Sequence, residues 1–430
     1  MAKSLSDVSP EALGDLSPET LSKEYDPLGV HLDDPWTFYT RAQRAAPIFF
    51  SPTLKAWVVT RLADVKKVLR DGTLYSSANV LRPLAPFSLR VVPVLASGYQ
   101  LEPPLLVLDG EQHRRQRAPY ADGFSAERVS AAEAFIVERA TAHLDGFVAG
   151  GSTTADFVAD YANPLAVSVV CHLIGFDPEH HEVLGDDTRL AAGLAMGHRF
   201  NSENEQVEAA RAWVRSQQLI GRYVVDRRAK PRDDMISEVV AAYAPGDAPL
   251  TRQQESMLAG EIWGVVIAGH NTPSAALADG LMHLLNHSEQ WRLLCERPDL
   301  IPNAVEEFAR FSTPFHIFLR KTTEETTLGG RLLPAGSEIA VWLAAANRDE
   351  TVFDRANEFD VSRATKPNHV GFGVGAHFCV GASLARREIE ITLRLLTERF
   401  PRLRLVSEQE IKFRPSLTQR GPLSLHVTWA

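Results

Sequence analysis

The 430-residue sequence lacks most of the features that would mark a membrane, nucleic-acid or disulfide-built protein. No apolar run approaches the roughly 18 residues of a membrane-spanning helix. Lys and Arg (45) are outnumbered by Asp and Glu (54), for a net charge of −9, whereas a nucleic-acid binder carries a basic surplus. Cys171, Cys295 and Cys379 are odd in number and far apart. They form no Cys-x-x-Cys pair, which excludes a zinc ribbon or a disulfide framework and suits a reducing cytoplasm. There is no flavin or iron–sulfur motif, no internal repeat and no low-complexity tract. The first ten residues are polar and hold no apolar core of a secretory signal. A soluble, cytoplasmic protein is expected.

What is present is an ordinary globular composition, 45% apolar and 23% charged. Residues 1–30 read as a polar leader lying on the surface, and 31–430 as a single domain. A helical pattern runs from Asp34 to about Ala46, followed by β-prone stretches at Pro47–Phe50 and Ala56–Arg61 and a helix to about Arg70. Tyr75–Leu106 is apolar and proline-rich without a period, the kind of long segment that usually carries function. From Glu111 to about Ile301 nearly everything reads as helix, broken at Gly150-Gly, Asp177-Pro, Lys230-Pro and Ala244-Pro-Gly. Strands are expected within Phe315–Thr323 and Leu332–Trp342 and at Leu423–Thr428. The fold class is mostly α with a minor β portion.

Four separated elements carry chemistry. In Gly371-Phe-Gly-Val-Gly-Ala-His-Phe-Cys379-Val-Gly381, glycines crowd one cysteine just before a clean helical pattern. A sulfur there meets backbone N–H groups and a helix start, which favour a thiolate able to bind metal. Glu307-Phe-Ala-Arg310 puts opposite charges on one helix face; a solvated pair is the ordinary reading of that spacing. His113-Arg-Arg-Gln-Arg117 likewise places His113 and Arg117 on one face near a helix start. The longest helix, from about Thr251 to Asn286, opens on a Thr251/Gln254 capping box. At its middle stands Ala268-Gly-His-Asn-Thr-Pro273. Pro273 lacks an N–H, so a kink is expected there, with the Gly269 carbonyl left free as an acceptor.

Phe372-x-x-Gly-x-His377-x-Cys379-x-Gly381, continued by Ala382-x-Leu-Ala-Arg386-x-Glu388, resembles the haem-binding signature of the soluble bacterial cytochromes P-450, and the order of elements resembles that family over nearly the whole chain. The resemblance implies a P-450-like fold, with haem b between the long central helix and the loop bearing Cys379. Cys379 would be the axial iron ligand, flanked by Phe372, Gly373 and Gly381, and Ala268 would lie against the haem. His113, Arg117, Arg320 and His377 would serve the propionates. Glu307 and Arg310 would be a buried lock on the core. The family usually adds an arginine to that lock; here Glu358 stands where it is expected, and Arg355 and Arg363 remain alternatives. Gly269 would open a groove for oxygen and Thr272 would direct a proton, while Asn271 replaces the usual acid and cannot shuttle protons as a carboxylate does.

The same resemblance implies a substrate pocket walled by Tyr75–Leu106, by the central helix near Val265, by Phe315, His316, Ile317 and Phe318, and by the turn at Thr418. A bulky, mostly hydrophobic or aromatic small molecule suits those side chains. Electrons would come from a separate ferredoxin and ferredoxin reductase, docking on Arg114, Arg115, Arg386 and Arg387. Oxygen insertion is the leading expectation. Oxidative coupling or desaturation is the first alternative, and a non-enzymatic haem-thiolate sensor the second.

Overall fold

The computed structural model describes residues 17–82, 87–100, 103–195, 198–363 and 368–430. Helices dominate, and the core of their bundle is apolar side chains such as Phe157, Leu165, Ile262 and Leu281. The helix Arg252–Asn286 runs through the middle, packed against Asn163–Ile174 and Glu203–Ala229. Its expected capping box is present: Thr251 Oγ1 accepts from the Gln254 N–H, and the Gln254 side chain accepts from the Thr251 N–H. The helix continues without interruption through Pro273. No helix among the described residues is long and apolar enough to cross a membrane.

Five strands form the main sheet in the order Ile48–Ser51, Ala56–Val59, Glu338–Trp342, Ile317–Thr322 and Tyr75–Ser76. Only Ala56–Val59 and Glu338–Trp342 pair in parallel. A smaller sheet joins Thr154–Asp156, His426–Thr428 and Arg404–Leu405. The two outer strands of that sheet are too short to leave a period in the sequence.

The expected leader lies in part outside the described residues, at 1–16. Its described part is more than a surface strand of chain: Pro18–Glu24 is a helix capped by Ser17 that buries Leu21 and Tyr25 in a second core with Phe38, Phe49 and Trp342. The proline-rich segment is broken by Tyr75–Ser76 and the helix Val91–Ala96; residues 83–86 and 101–102 of this expected pocket wall lie outside the described residues.

Candidate functional site

The loop from Gly371 to Gly381 is folded by its glycines onto neighbouring backbone. Gly375 has φ +84°, and a Cβ there would sit 2.5 Å from the Leu69 carbonyl, so this glycine serves the loop's contact with that helix end and not the sulfur. Gly381 is the one beside the sulfur: a Cβ there would sit 4.0 Å from it, and the Gly381 N–H bonds to the thiol. The Cys379 N–H donates to the Phe372 carbonyl at 2.8 Å, which closes the loop, and the Phe372 ring stacks on the Arg386 guanidinium. The helix Ala382–Arg399 follows at once.

Cys379 is reachable by solvent, but protein surrounds it closely enough that burial pushes its thiol pKa up, opposed by the Gly381 N–H and by the positive charges of Arg117 and Arg386. The other cysteines lack such a setting: Cys171 is sealed in the core with its thiol pushed up to about 12, and Cys295 lies on an outer helix. The central helix is buried over most of its surface yet leaves Ala268 exposed and Gly264 and Thr272 half-exposed. A Cβ at Gly264 would meet nothing within 4 Å. Those positions share one face at helical spacing. Gly264 was missed in the sequence, where only a glycine inside a helix marked it.

Gly269 has a different duty from the one expected. Its missing side chain admits Val170 of the helix Asn163–Ile174 into contact with the helix backbone, so it faces away from the open side. Thr272 Oγ1 donates to the Ala268 carbonyl at 2.6 Å. Asn271 is buried and pinned from both sides: Nδ2 donates to the Ile267 carbonyl and Oδ1 accepts from Arg414 Nη1, each at 3.3 Å. His270 is packed beside Thr188, and burial holds its pKa down to about 3.

A cluster of donors gathers around His377, two residues before Cys379. The His113 and His377 rings lie 4.0 Å apart, and His377 Nε2 meets Ser77 Oγ at 3.0 Å. His113 Nε2 is buried and has no partner. Arg320 is almost fully buried and bonds only its neighbour's carbonyl, so burial lowers its pKa to about 10. Arg117 Nη2 donates to the Phe378 carbonyl. The carboxylate nearest this group, Asp109, is occupied by Ser76 and the Ser77 N–H. Four basic side chains with one engaged acid suit a ligand bearing two carboxylates. The chemistry of the site therefore fits haem, a dianionic macrocycle whose iron needs one soft ligand.

The lock is complete. Arg310 and Glu307 are fully buried and joined by two hydrogen bonds, at 2.7 and 2.6 Å. Arg310 also donates to the carbonyls of Asn347, Ala356 and Glu358. The third member is Arg363, whose Nε reaches Glu307 at 3.3 Å; Arg355 instead turns outward to Asp360 and Glu358.

The expected pocket residues separate into two groups. Phe315 and Phe318 are half-exposed and stacked 4.7 Å apart, and Thr418 is half-exposed beside them, its carbonyl holding the His316 N–H. His316 and Ile317 point the other way. His316, just before the strand, meets the Tyr39 hydroxyl through Nδ1 under Trp36, while Ile317 opens the strand Ile317–Thr322 and joins the second core, the alternation of the strand turning Phe318 to the other face. Val265 packs toward Tyr120, Met235 and Ile262. The expected basic docking patch is also largely spent: Arg114 pairs with Glu111, Arg386 with Glu306, and Arg387 with Glu133 and Glu390.

Comparison with known proteins agrees with this geometry. Residues 198–425 match the family model "Cytochrome P450". The chain is 34% identical over 379 residues to the mycinamicin IV hydroxylase/epoxidase of Micromonospora griseorubida, covering 87% of this chain and 90% of that protein. It is 32% identical to the nocardicin C N-oxygenase of Nocardia uniformis subsp. tsuyamanensis, covering 94% and 97%. The solved structure of cytochrome P450 CREJ in complex with (4-ethylphenyl) dihydrogen phosphate superposes with a TM-score of 0.87 at 29% identity, over 95% of this chain and 99% of that one. The chain belongs to the cytochrome P450 family. It is a P450 monooxygenase of the bacterial type, and its cofactor is haem b held through a thiolate.

Proposed function

We propose that Cys379 is the axial thiolate and that the protein inserts oxygen into a bulky, largely hydrophobic small molecule of secondary or catabolic metabolism, using electrons from a separate ferredoxin and its reductase. The observation that carries the reading is the pairing of a solvent-reachable Cys379 with the open Gly264–Ala268–Thr272 face of the central helix. Haem supplies the oxygen activation when bound. His113, Arg117, Arg320 and His377 hold the propionates, and Gly381 donates an N–H to the sulfur and moderates its charge. Thr272 presents its hydroxyl oxygen to the cleft while its proton rests on the Ala268 carbonyl.

Phe315 and Phe318 offer the substrate an aromatic wall. Relatives that hydroxylate or N-oxygenate elaborate small molecules, by their names, support this substrate class. Free thiols at Cys171, Cys295 and Cys379 support a reducing, cytoplasmic setting. Arg115 is left as the one expected docking arginine with no carboxylate partner among the described residues.

Reduced protein under CO is expected to show the red-shifted Soret band of a thiolate-ligated haem, and Cys379→Ala to abolish it; a histidine-type carbonyl spectrum in the unsubstituted protein would overturn the assignment. One observation favours a second outcome of the same site. With Asn271 bonded to Arg414 and to the Ile267 carbonyl, position 271 offers Thr272 an amide in place of an acid. Slow proton delivery favours coupling or desaturation over oxygen insertion, and product mass separates the two.

A further inference from the structure

Glu261 is a buried carboxylate for which the proposed chemistry has no task. It stands three, seven and eleven residues before Gly264, Ala268 and Thr272 on the central helix. That spacing brings it onto their open face, about two turns from Ala268. Its Oε1 accepts the Leu105 N–H at 2.8 Å. Among the described residues no Lys, Arg or His pairs with it. The titratable groups that face it are two tyrosines, Tyr120 on the helix Gly110–Gly123 and Tyr243 on the helix Met235–Tyr243. Burial and the charge of Glu261 push both phenols up, so they stay un-ionised, and Tyr243 donates its hydroxyl proton to the Gln116 carbonyl. Burial outweighs the Leu105 bond and raises the Glu261 pKa to about 7.

The other partner in this bond is the end of the proposed pocket wall. Leu105–Val107 is a single turn, and none of its three apolar side chains is fully buried. The rest of the wall is fixed by contacts of other kinds. Asp109 accepts from Ser76 Oγ and the Ser77 N–H at its beginning. Val91 is sealed among Leu194, Val207 and Ala210. The Tyr99 ring fills the space left by Gly221, with the Arg252 guanidinium over it at 4.1 Å. The turn itself is tied to the central helix by the Glu261 bond. A Cβ at Gly260 or Gly264 would meet nothing within 4 Å, so the helix is bare on both sides of that tie.

We propose that Glu261 is a positioning residue that works as a proton-operated latch: with its proton it holds the Leu105–Val107 turn against the open face of the central helix, and without it the turn lifts and admits the substrate. The inference rests on the monooxygenase reading and deepens it by assigning how entry to the pocket is controlled. The direction follows from solvation. Lifting the turn lets water reach the carboxyl, which then returns to the ordinary carboxylic range and releases its proton to solvent. Opening therefore becomes easier as pH rises from that range through about 7, and levels off above. A neutral carboxyl still accepts the Leu105 N–H through its carbonyl oxygen, so protonation leaves the tie in place.

The test is stopped-flow mixing of the reduced, haem-loaded protein with phenyl isocyanide, an uncharged aromatic ligand of haem iron that does not titrate, and with carbon monoxide as the small control. Association and dissociation rates of the isocyanide are expected to rise together by about tenfold between about pH 6 and about pH 8, with its Kd unchanged. The carbon monoxide rates should stay flat. Glu261→Gln should be slow at every pH and Glu261→Ala fast at every pH; a merely structural Glu261 would alter stability without coupling the two rates to pH. The proposal is overturned if the isocyanide rates are flat in the unsubstituted protein, if carbon monoxide responds to pH equally, or if the response survives Glu261→Gln. The carbonyl spectrum of the same samples reports separately on the haem reading, so the two failures are distinguishable.

Discussion

Two arginines, Arg310 and Arg414, are treated in opposite ways. Arg310 is matched to a carboxylate by two hydrogen bonds and to three carbonyls, and Arg363 stands behind that carboxylate. Arg414 is matched to one neutral amide oxygen and opens on a cleft. The first arrangement is closed to any ligand and serves to fasten the irregular segment Asn347–Glu358 to the helix Ile301–Phe311. The second keeps an electrostatic demand unmet. The difference teaches that a buried charge supports the fold or opposes it according to its partners, and that burial alone does not distinguish the two.

Exchanging the partners tests the contrast. Glu307→Gln turns the first arrangement into a copy of the second and should destabilise the protein by about 3–5 kcal/mol with loss of bound haem, because an uncompensated buried charge is left behind; denaturant unfolding and haem content per chain measure it. Glu261 is a buried charge of the other sign, held by a single hydrogen bond from the Leu105 N–H, and burial raises its pKa to about 7. A raised carboxylate pKa means that the folded protein keeps a proton which the unfolded chain releases. Stability should therefore fall as pH rises from the ordinary carboxyl range through about 7, and level off above. Glu261→Gln should flatten that slope and be the more stable form at about pH 8, by up to about 3 kcal/mol, in thermal melts across pH. Asn271→Asp, the reverse exchange, should stabilise the ligand-free protein by about 1 kcal/mol by giving Arg414 its missing anion. Thr251→Ala, which touches only the exposed start of the central helix, should cost about 1 kcal/mol, and provides the scale of an ordinary cap loss.

The sequence was informative wherever function depends on local spacing. The Glu307/Arg310 pair and the Thr251/Gln254 cap each lie within a few residues, and both are found in the structure. It was uninformative wherever partners come from distant segments. Arg414 meets Asn271 from 143 residues away, and nothing in the spacing of either announces the other. The choice of Arg363 over Arg355 depended on how an irregular segment turns, which no periodicity encodes. In the stretch Phe315–Phe318, the four neighbours divide between two faces, so a run of consecutive residues overstated the pocket wall. Three of the four arginines expected to dock a redox partner are neutralised by acids, two of which, Glu306 and Glu133, come from segments far from their arginines in the chain.

The contact between Gly269 and Val170 carries a last consequence. The depth of the cleft under Ala268 depends on how far back the central helix can sit, and the spacing between packed helices follows the side chains at their contact. Val170 therefore works as a shim behind the helix. A bulkier residue there would drive Ala268 and Thr272 toward the floor of the cleft without altering a single atom that lines it.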